Sequence, residues 1–274
     1  MYPTRNQTLL GDEGGETHSS ELDRLLAAIR DRAPVLRCHR FGHGSGDGDH
    51  GADEDDVLAR YREAAGEVHD RVVHDHGVSC VEFLGSTGSG KTTLVERLVE
   101  RAPSDERIGV IVGDVAGDDD ARRLESHGVA VANVNTGKEC HLDATLVSDA
   151  LGEFDLEALD RLYLENVGNM VCPADFPLGA GARVLVVSTT EGDDVVRKHP
   201  LLFQACDVAV VNKTDLADPV GADTDRMRAD VAEVAPGMDV FETNARDGEG
   251  IDALAAHLAG TEHAHDHSYG GKRD

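Results

Sequence analysis

One loop constrains this chain more than any other feature of its sequence. Residues 85–92 read Gly-Ser-Thr-Gly-Ser-Gly-Lys-Thr and match the pattern G-x-x-x-x-G-K-[ST] at every fixed position. An apolar run, 78–84, precedes the loop, and a predicted helix over 92–101 follows it. Small residues let the backbone wrap around an anion, so that successive N–H groups point at phosphate oxygens. The loop therefore predicts a phosphate-binding turn between a buried strand and a helix.

The loop residues are expected to share the binding of a nucleoside triphosphate. The Lys91 ammonium group supplies charge to the outer phosphates, and the Thr92 hydroxyl is a candidate Mg²⁺ ligand. The predicted nucleotide-binding residues of this segment are Gly85, Ser86, Gly88, Ser89, Gly90, Lys91, Thr92 and Thr93. A glycine-rich turn with an incidental lysine is the alternative interpretation.

A second motif indicates which base is bound. Asn212-Lys213-Thr214-Asp215 follows a predicted strand over 208–211. A carboxylate at Asp215 can accept hydrogen bonds from the N1–H and 2-amino groups of guanine, whereas adenine offers no such pair of donors. The motif thus predicts GTP and GDP as ligands, and Asn244 and Ala245, after a strand ending near Thr243, are predicted to form a second base-contacting loop. An ATP-using kinase with the same phosphate loop is the alternative.

Two carboxylates follow predicted strands and are candidates for catalysis with Lys91. Asp114 follows the strand over 108–112 and could hold Mg²⁺ through water or orient the attacking water, although an acidic surface loop would read the same way. Glu165 follows the strand over 161–164 and is predicted to lie towards the metal ion, with the Gly168 N–H near the γ-phosphate. Phosphoryl transfer requires mainly positioning and charge neutralisation from a protein.

Strands and helices alternate from Val78 onwards, which predicts an α/β fold. The strands are apolar almost throughout, as in parallel strands that are buried on both faces. We therefore expect a P-loop NTPase with a doubly wound, mostly parallel sheet flanked by helices. Three regions are predicted: an extension over 1–52 with a short helix at 20–32 and a flexible His/Gly-rich linker, the GTPase domain over 53–259 beginning with a helix over 53–76, and a disordered tail over 260–274.

Composition excludes some partners. The 274 residues contain 26 Lys and Arg against 53 Asp and Glu, a formal net charge of −27. Phosphate-rich surfaces require a cationic face, so we expect neither nucleic acid nor an anionic membrane as a partner. The sequence shows no membrane-spanning apolar run and no signal peptide, which predicts a cytoplasmic protein. The five cysteines should then be reduced, with Cys80 in a strand and Cys206 at a helix end expected to be structural.

One adjacent cysteine–histidine pair lies within the predicted GTPase domain, with a third candidate ligand downstream. Cys140-His141 precedes a predicted helix, and Cys172 follows in Met-Val-Cys-Pro. Thiolate and imidazole suit Zn²⁺ or Ni²⁺, although isolated cysteines and histidines more often lie in cores.

Five segments in order resemble the HypB family of hydrogenase-maturation nickel-insertion GTPases over about 53–258. These segments are 85–93 with the phosphate loop, 135–144 with Asn-Thr-Gly-Lys-Glu-Cys-His-Leu-Asp-Ala, 165–174 with Glu-Asn-Val-Gly-Asn-Met-Val-Cys-Pro-Ala, Glu-Gly-Asp-Asp at 191–194 and Val-Asn-Lys-Thr-Asp-Leu at 211–216. The resemblance implies a GTP hydrolase and nickel metallochaperone that forms a homodimer when GTP binds. It also implies that Cys140, His141 and Cys172 bind Zn²⁺ or Ni²⁺ at the dimer interface, and that nickel passes to a partner nickel chaperone and a hydrogenase large-subunit precursor.

Two related functions remain open from the sequence. The urease nickel-insertion GTPases share the loop, but they are expected to have Cys-Pro-His where this chain has Cys140-His141. The second open function is a GTP-gated scaffold with a purely structural zinc site. Histidines cluster at 39–50 beside Cys38, at His74 and His76, and at 263–267. The linker with His39, His43 and His50 and the C-terminal tract with His263, His265 and His267 suggest nickel storage or transfer, and solvated, His-enriched disordered ends are the alternative.

Overall fold

The computed structural model describes residues 51–114, 117–137, 141–170 and 176–260, with side chains from Leu58 onwards. Several sequence predictions lie outside these ranges, so they stay predictions. They are the helix over 20–32, the His/Gly-rich linker, the metal ligands Cys140 and Cys172, and the tail after residue 260.

Seven strands form a single parallel sheet in the described part of the chain. Its order is β3-β2-β4-β1-β5-β6-β7, and every neighbouring pair is parallel. The predicted doubly wound parallel sheet is confirmed. The strands are β1 Ser79–Leu84, β2 Ile108–Asp114, β3 Ala130–Asn135, β4 Arg161–Glu165, β5 Ala182–Ser188, β6 Val208–Asn212 and β7 Asp239–Thr243.

Helices cover both faces of the sheet. The first, α1, runs over Gly51–His69 and continues as a π-helical turn over Asp70–Asp75, where the sequence predicted one helix over 53–76. The others are α2 Lys91–Arg101, α3 Asp119–Glu125, α4 Ala144–Ala150, α5 Val195–Lys198, α6 Pro200–Gln204, α7 Ala217–Val220, α8 Thr224–Val234 and α9 Ile251–Gly260. No helix in the described ranges combines the length and apolar character needed to cross a bilayer.

Alternation along the strands divides the core between the two faces. Val110 and Val112 of β2 face the layer of α2, α3 and α9, whereas Ile111 between them faces α1 and α4. A third cluster packs the second face of β5 and β6 against α5, α6 and α8. Both sheet faces are therefore covered, and β4 and β5 are buried at every position. This explains why the strands read as continuous apolar runs.

Helix α1 is held against the segment that leads into β5 by a close backbone approach at Gly179. This residue has φ +90, and a Cβ built on it would lie 2.4 Å from the Ala65 carbonyl oxygen and 2.9 Å from the His69 nitrogen. The buried His69 Nδ1 lies 3.1 Å from the Gly179 carbonyl oxygen. The position of α1 therefore depends on the absence of a side chain at residue 179.

We predict that Gly179→Ala destabilises the folded protein by about 2–4 kcal/mol, because it adds both left-handed backbone strain and a steric clash with α1. Urea unfolding would measure the loss. Gly152→Ala is the matched control, since its Cβ would meet nothing within 4 Å, and it should be neutral or slightly stabilising. Equal stability of the two variants would contradict this account of how α1 is held.

Candidate functional site

The phosphate loop joins β1 to α2 in the conformation that the motif predicts. Gly90 has φ +100 at the start of α2, and a Cβ there would lie 2.3 Å from Asn212 Nδ2. The Lys91 side chain curls back over the loop, and its Nζ donates to the carbonyl oxygens of Gly85 at 3.1 Å and Ser86 at 3.2 Å. The loop thus closes around an ammonium group at the edge of an open cavity.

This cavity has a volume of about 430 Å³ and lies at the carboxyl ends of the strands. That edge of an open α/β sheet is where ligands generally bind. Residues from four separate predictions line it together. They are Thr87, Gly88, Gly90, Lys91, Thr92 and Thr93 of the phosphate-loop segment, Asp114 at the end of β2, Glu165 at the end of β4, Gly168 after β4, and Lys213 after β6.

The Glu165 carboxylate lies against the phosphate loop and is buried. Its Oε1 accepts a hydrogen bond from the Thr92 hydroxyl at 2.7 Å, and its buried Oε2 meets no hydrogen-bond donor among the described residues. Burial raises the pKa of Glu165 to about 7, against the opposing attraction of Lys91. Burial also lowers the pKa of Lys91, which the carboxylates of Glu165, Asp120 and Glu191 partly offset. A bound cation would give the Glu165 Oε2 atom a partner and stabilise the charged carboxylate.

Asn212 connects the phosphate loop to both predicted base-contacting loops. Its Nδ2 donates to the Ser89 carbonyl at 2.9 Å, and its Oδ1 accepts from the Thr243 hydroxyl at 3.0 Å and the Ala245 N–H at 3.1 Å. The neighbouring Lys213 reaches across the phosphate loop and donates to the Gly88 carbonyl. One buried amide therefore fixes the relative positions of the three loops.

Two arginines of α2 hold the loop after β7. Arg97 donates to the carbonyl oxygens of Ala245 at 3.0 Å and Arg246 at 2.8 Å, and Arg101 donates to that of Gly248 at 3.0 Å. Asn244, also predicted in this loop, is buried. Asp215 lies in the 3₁₀ turn that follows Lys213 and is exposed, so its carboxylate is accessible to a base.

His141 lies in the loop before α4 within an aromatic cluster. Its ring is 8 % exposed and stacks on Phe176 at 4.1 Å between centroids, and Tyr61 of α1 meets the Phe176 ring edge-on at 4.9 Å. Within the described ranges, no three His, Cys, Asp or Glu side chains form a group that could hold a metal ion. Because Cys140 and Cys172 lie outside these ranges, the Cys/His metal site stays a prediction.

Two further cysteines and two further histidines from the sequence analysis lie in the described ranges. Cys80 in β1 is buried, which raises the pKa of its thiol well above the usual range, and burial raises the pKa of Cys206 to about 12. His74 stacks edge-on against His69 at 5.0 Å, and His76 Nδ1 lies 2.6 Å from the Arg71 carbonyl oxygen.

Sequence reasoning missed two charged residues that line the cavity and a third that contacts the phosphate loop. Asp120 and Arg123 of α3 line it, and Arg123 donates to the Thr93 hydroxyl at 3.1 Å. Glu191 accepts a hydrogen bond from the Ser86 hydroxyl at 2.5 Å while it also caps the turn after β5. The only signal for Glu191 was its place in the Glu-Gly-Asp-Asp segment, which indicated no role.

Known proteins match this chain over the same part of its sequence. The model of the CobW/HypB/UreG nucleotide-binding domain matches residues 80–242. A probable hydrogenase maturation factor HypB from Methanocaldococcus jannaschii is 46% identical over 184 residues, which are 67% of this chain and 83% of that protein. The chain belongs to the HypB family.

Two solved structures of HypB support this assignment. The structure of HypB from Archaeoglobus fulgidus is 39% identical with a TM-score of 0.66, and it matches 77% of this chain and 99% of its own. The structure of HypB from Helicobacter pylori in complex with nickel is 30% identical with a TM-score of 0.70, and it matches 78% of this chain and 99% of its own. The resemblance to HypB is therefore confirmed, and the P-loop fold with it.

We predict that Glu165→Gln stabilises the ligand-free HypB-family protein at high pH. The pKa of Glu165 near 7 in the folded protein exceeds the ordinary value of 4.5. The buried carboxylate therefore lowers the unfolding free energy fully above about pH 7 and not at all below about pH 4.5, where the group is protonated in both states. The variant should gain about 3 kcal/mol of unfolding free energy at pH 8 and under about 1 kcal/mol at pH 5.

Denaturant unfolding at the two pH values would measure this difference. Glu157→Gln is the control, because Glu157 is exposed and its replacement should change stability little at either pH. A gain for Glu165→Gln that is the same at both pH values would contradict the buried charge as its source.

Proposed function

We propose that this chain is a GTP-hydrolysing nickel metallochaperone that delivers nickel during [NiFe]-hydrogenase maturation. In this proposal, GTP binding promotes a homodimer, and the dimer binds nickel or zinc through Cys140, His141 and Cys172. The observation that carries it is the hydrogen bond between Thr92 of the phosphate loop and Glu165, because Cys172 follows Glu165 by only seven positions in the chain. Nucleotide and metal would therefore act on neighbouring parts of one segment.

The loops after β6 and β7 support guanine as the bound base. Asp215 is exposed at the end of a loop that Asn212 fixes to the phosphate loop, and the Asn244–Ala245 loop is fixed to the same amide. A carboxylate there can accept hydrogen bonds from the N1–H and 2-amino groups on the Watson–Crick edge of guanine. The phosphates would then extend from the base towards the N–H groups at the start of α2 and the Lys91 ammonium group.

The residues near Thr92 fit a magnesium ion. The Thr92 hydroxyl and the Glu165 carboxylate are oxygen donors of the kind that Mg²⁺ prefers, and the orphaned Glu165 Oε2 would gain a partner. Asp114 lines the same cavity and is a candidate to bind through water or to orient the attacking water. When bound, Mg²⁺ neutralises charge on the outer phosphates. Lys91 would leave the Gly85 and Ser86 carbonyl oxygens to bind those phosphates as a fixed positive charge.

Nickel is the cargo in this proposal. His141 supplies an imidazole whose plane Phe176 fixes by stacking, and Cys140 and Cys172 supply thiolates by their place in the sequence. Soft thiolate and borderline imidazole ligands suit Ni²⁺ and Zn²⁺. The receiving partners would be a nickel-chaperone protein and the hydrogenase large-subunit precursor, in the cytoplasm.

We predict that Asp215→Asn weakens GTP binding about 100-fold or more, because it loses two charge-assisted hydrogen bonds to the base. Xanthosine triphosphate should bind the variant more tightly than GTP, since the asparagine amide can donate to the C2 carbonyl of xanthine. Asp218→Asn, an exposed neighbour, is the control and should retain the preference for GTP. Fluorescence competition among GTP, XTP and ATP would measure the three affinities, and unchanged GTP affinity in Asp215→Asn would remove the base assignment.

We also predict that metal binding and dimerisation depend on the nucleotide. With a non-hydrolysable GTP analogue, the protein should sediment as a dimer that carries nickel or zinc, whereas with GDP it should be mainly monomeric with weaker metal affinity. Cys140→Ala should lose the metal while nucleotide binding persists. Metal analysis of the sedimented species would decide this. Identical dimerisation and metal content with both nucleotides would refute the coupling.

A further inference from the structure

The segment after β4 lies directly on the phosphate loop. We call residues 166–170 the strap. The Thr87 hydroxyl donates to the Gly168 carbonyl oxygen at 2.9 Å, and Asn169 forms an isolated antiparallel bridge with Gly85. Because Thr87 and Gly168 both line the nucleotide cavity, a bound outer phosphate would act on these contacts. The strap is therefore placed to respond to the nucleotide.

One residue of the strap also binds the loop that carries His141. The side chain of Asn166 is 1 % exposed, and its Oδ1 accepts hydrogen bonds from the Leu142 N–H at 3.1 Å and the Val167 N–H at 2.9 Å. Leu142 directly follows His141, and Asp143 after it caps α4 by accepting from the Leu146 N–H at 2.9 Å. Movement of the Asn166 side chain would thus act on the backbone next to His141.

A buried ion pair fixes the other end of the same amide. Asn166 Nδ2 donates to Glu82 Oε1 at 2.9 Å, and Glu82 Oε2 accepts from Arg183 Nε at 3.0 Å. Glu82 is fully buried in β1, the strand that ends at the phosphate loop, and Arg183 also donates to the Ala205 carbonyl oxygen at 2.8 Å. Asn166 is therefore connected to the central strand, to the strap and to the His141 loop.

We infer that Asn166 is the positioning residue that couples the nucleotide pocket to the metal loop. This inference rests on the proposed function. Displacement of the strap by a γ-phosphate must either move the Leu142 amide with Asn166 or break their hydrogen bond. In either case the backbone beside His141 changes, and with it the geometry of the imidazole relative to Cys140 and Cys172. A purely structural asparagine would instead affect metal binding equally in every nucleotide state.

The polarity of this network provides a direct test. Asn166→Asp replaces the amide donor by a carboxylate that faces the Glu82 carboxylate, so the contact becomes repulsive. The double variant Asn166→Asp/Glu82→Gln reverses the polarity and restores the contact. In it, the introduced glutamine amide donates to the introduced carboxylate, and the glutamine carbonyl accepts from Arg183. The new carboxylate retains acceptors for Leu142 and Val167, and the summed charge of the three side chains is unchanged.

The measurement is the dissociation constant for Zn²⁺ and for Ni²⁺, by competition with a chromophoric chelator, in GDP and in a non-hydrolysable GTP analogue. For each metal, the ratio of the constant measured in GDP to the constant measured in the GTP analogue reports the coupling. We expect a ratio of about tenfold or more in the natural protein and a ratio within about twofold of one in Asn166→Asp. On a logarithmic scale, the double variant should recover at least about half of the natural ratio. Asn133→Asp, an exposed asparagine that bonds to Gly117, is the matched control and should keep the full ratio.

The possible failures are distinguishable. A ratio of one in the natural protein would overturn the coupling in the proposed function, and this inference with it. A large natural ratio that Asn166→Asp retains would overturn the role of Asn166 alone. If Asn166→Asp does not fold, amide hydrogen exchange on the natural protein provides the answer. Protection of the Leu142 N–H should differ between GDP and the GTP analogue, and identical protection would overturn the inference.

Discussion

The contact between the Thr92 hydroxyl and the buried Glu165 carboxylate determines how this site is organised. A buried acid that meets one donor and leaves its second oxygen without a partner among the described residues is costly, and the raised pKa near 7 expresses that cost. The cost is useful where a cation binds, because the ion satisfies the free oxygen and makes ligand binding more favourable. In the proposed function, the same carboxylate that destabilises the empty protein would strengthen cation binding at the nucleotide site.

The loops on the predicted base side and the strap on the phosphate side are held by different contacts. On the base side, Asn212 and the two arginines of α2 fix three loops through hydrogen bonds to backbone atoms. On the phosphate side, hydrogen bonds to Glu82 and Leu142 fix the strap at Asn166, and the Thr87 hydroxyl and a backbone bridge from Asn169 to Gly85 join its later residues to the phosphate loop. In the proposed function, the base would thus meet loops that are fixed to the phosphate loop, whereas the outer phosphates would act on the strap through Thr87 and Gly168.

The sequence predicted the elements that follow from local chemistry. Apolar runs bounded by polar loops located the strands, and the phosphate loop was identified because glycine, lysine and a hydroxyl at fixed spacing have few other uses. Since parallel strands end at one edge, Asp114 and Glu165 could be assigned to the same site without knowing the order of the sheet. The crossover that places β4 between β2 and β1 could not be deduced from these runs.

Long-range polar pairing was the part that the sequence could not predict. Glu82 in an otherwise apolar strand signals a buried charge that needs a partner, but nothing local selects Arg183, which is 101 residues away. The same applies to Asn166, whose three bonds depend on where the 141–143 loop packs. Arg123 reaches the cavity, and Glu191 the phosphate loop, through tertiary geometry alone, so only a structure could include them.

The raised thiol pKa values of two cysteines have a practical consequence for thiol chemistry. Cys80 and Cys206 both have raised pKa values, so almost none of either side chain is the reactive thiolate at neutral pH. Alkylating reagents should therefore modify these two positions only slowly while the chain is folded. Because Cys80 is buried in β1, the rate at which it is modified then reports how often the sheet opens around that strand.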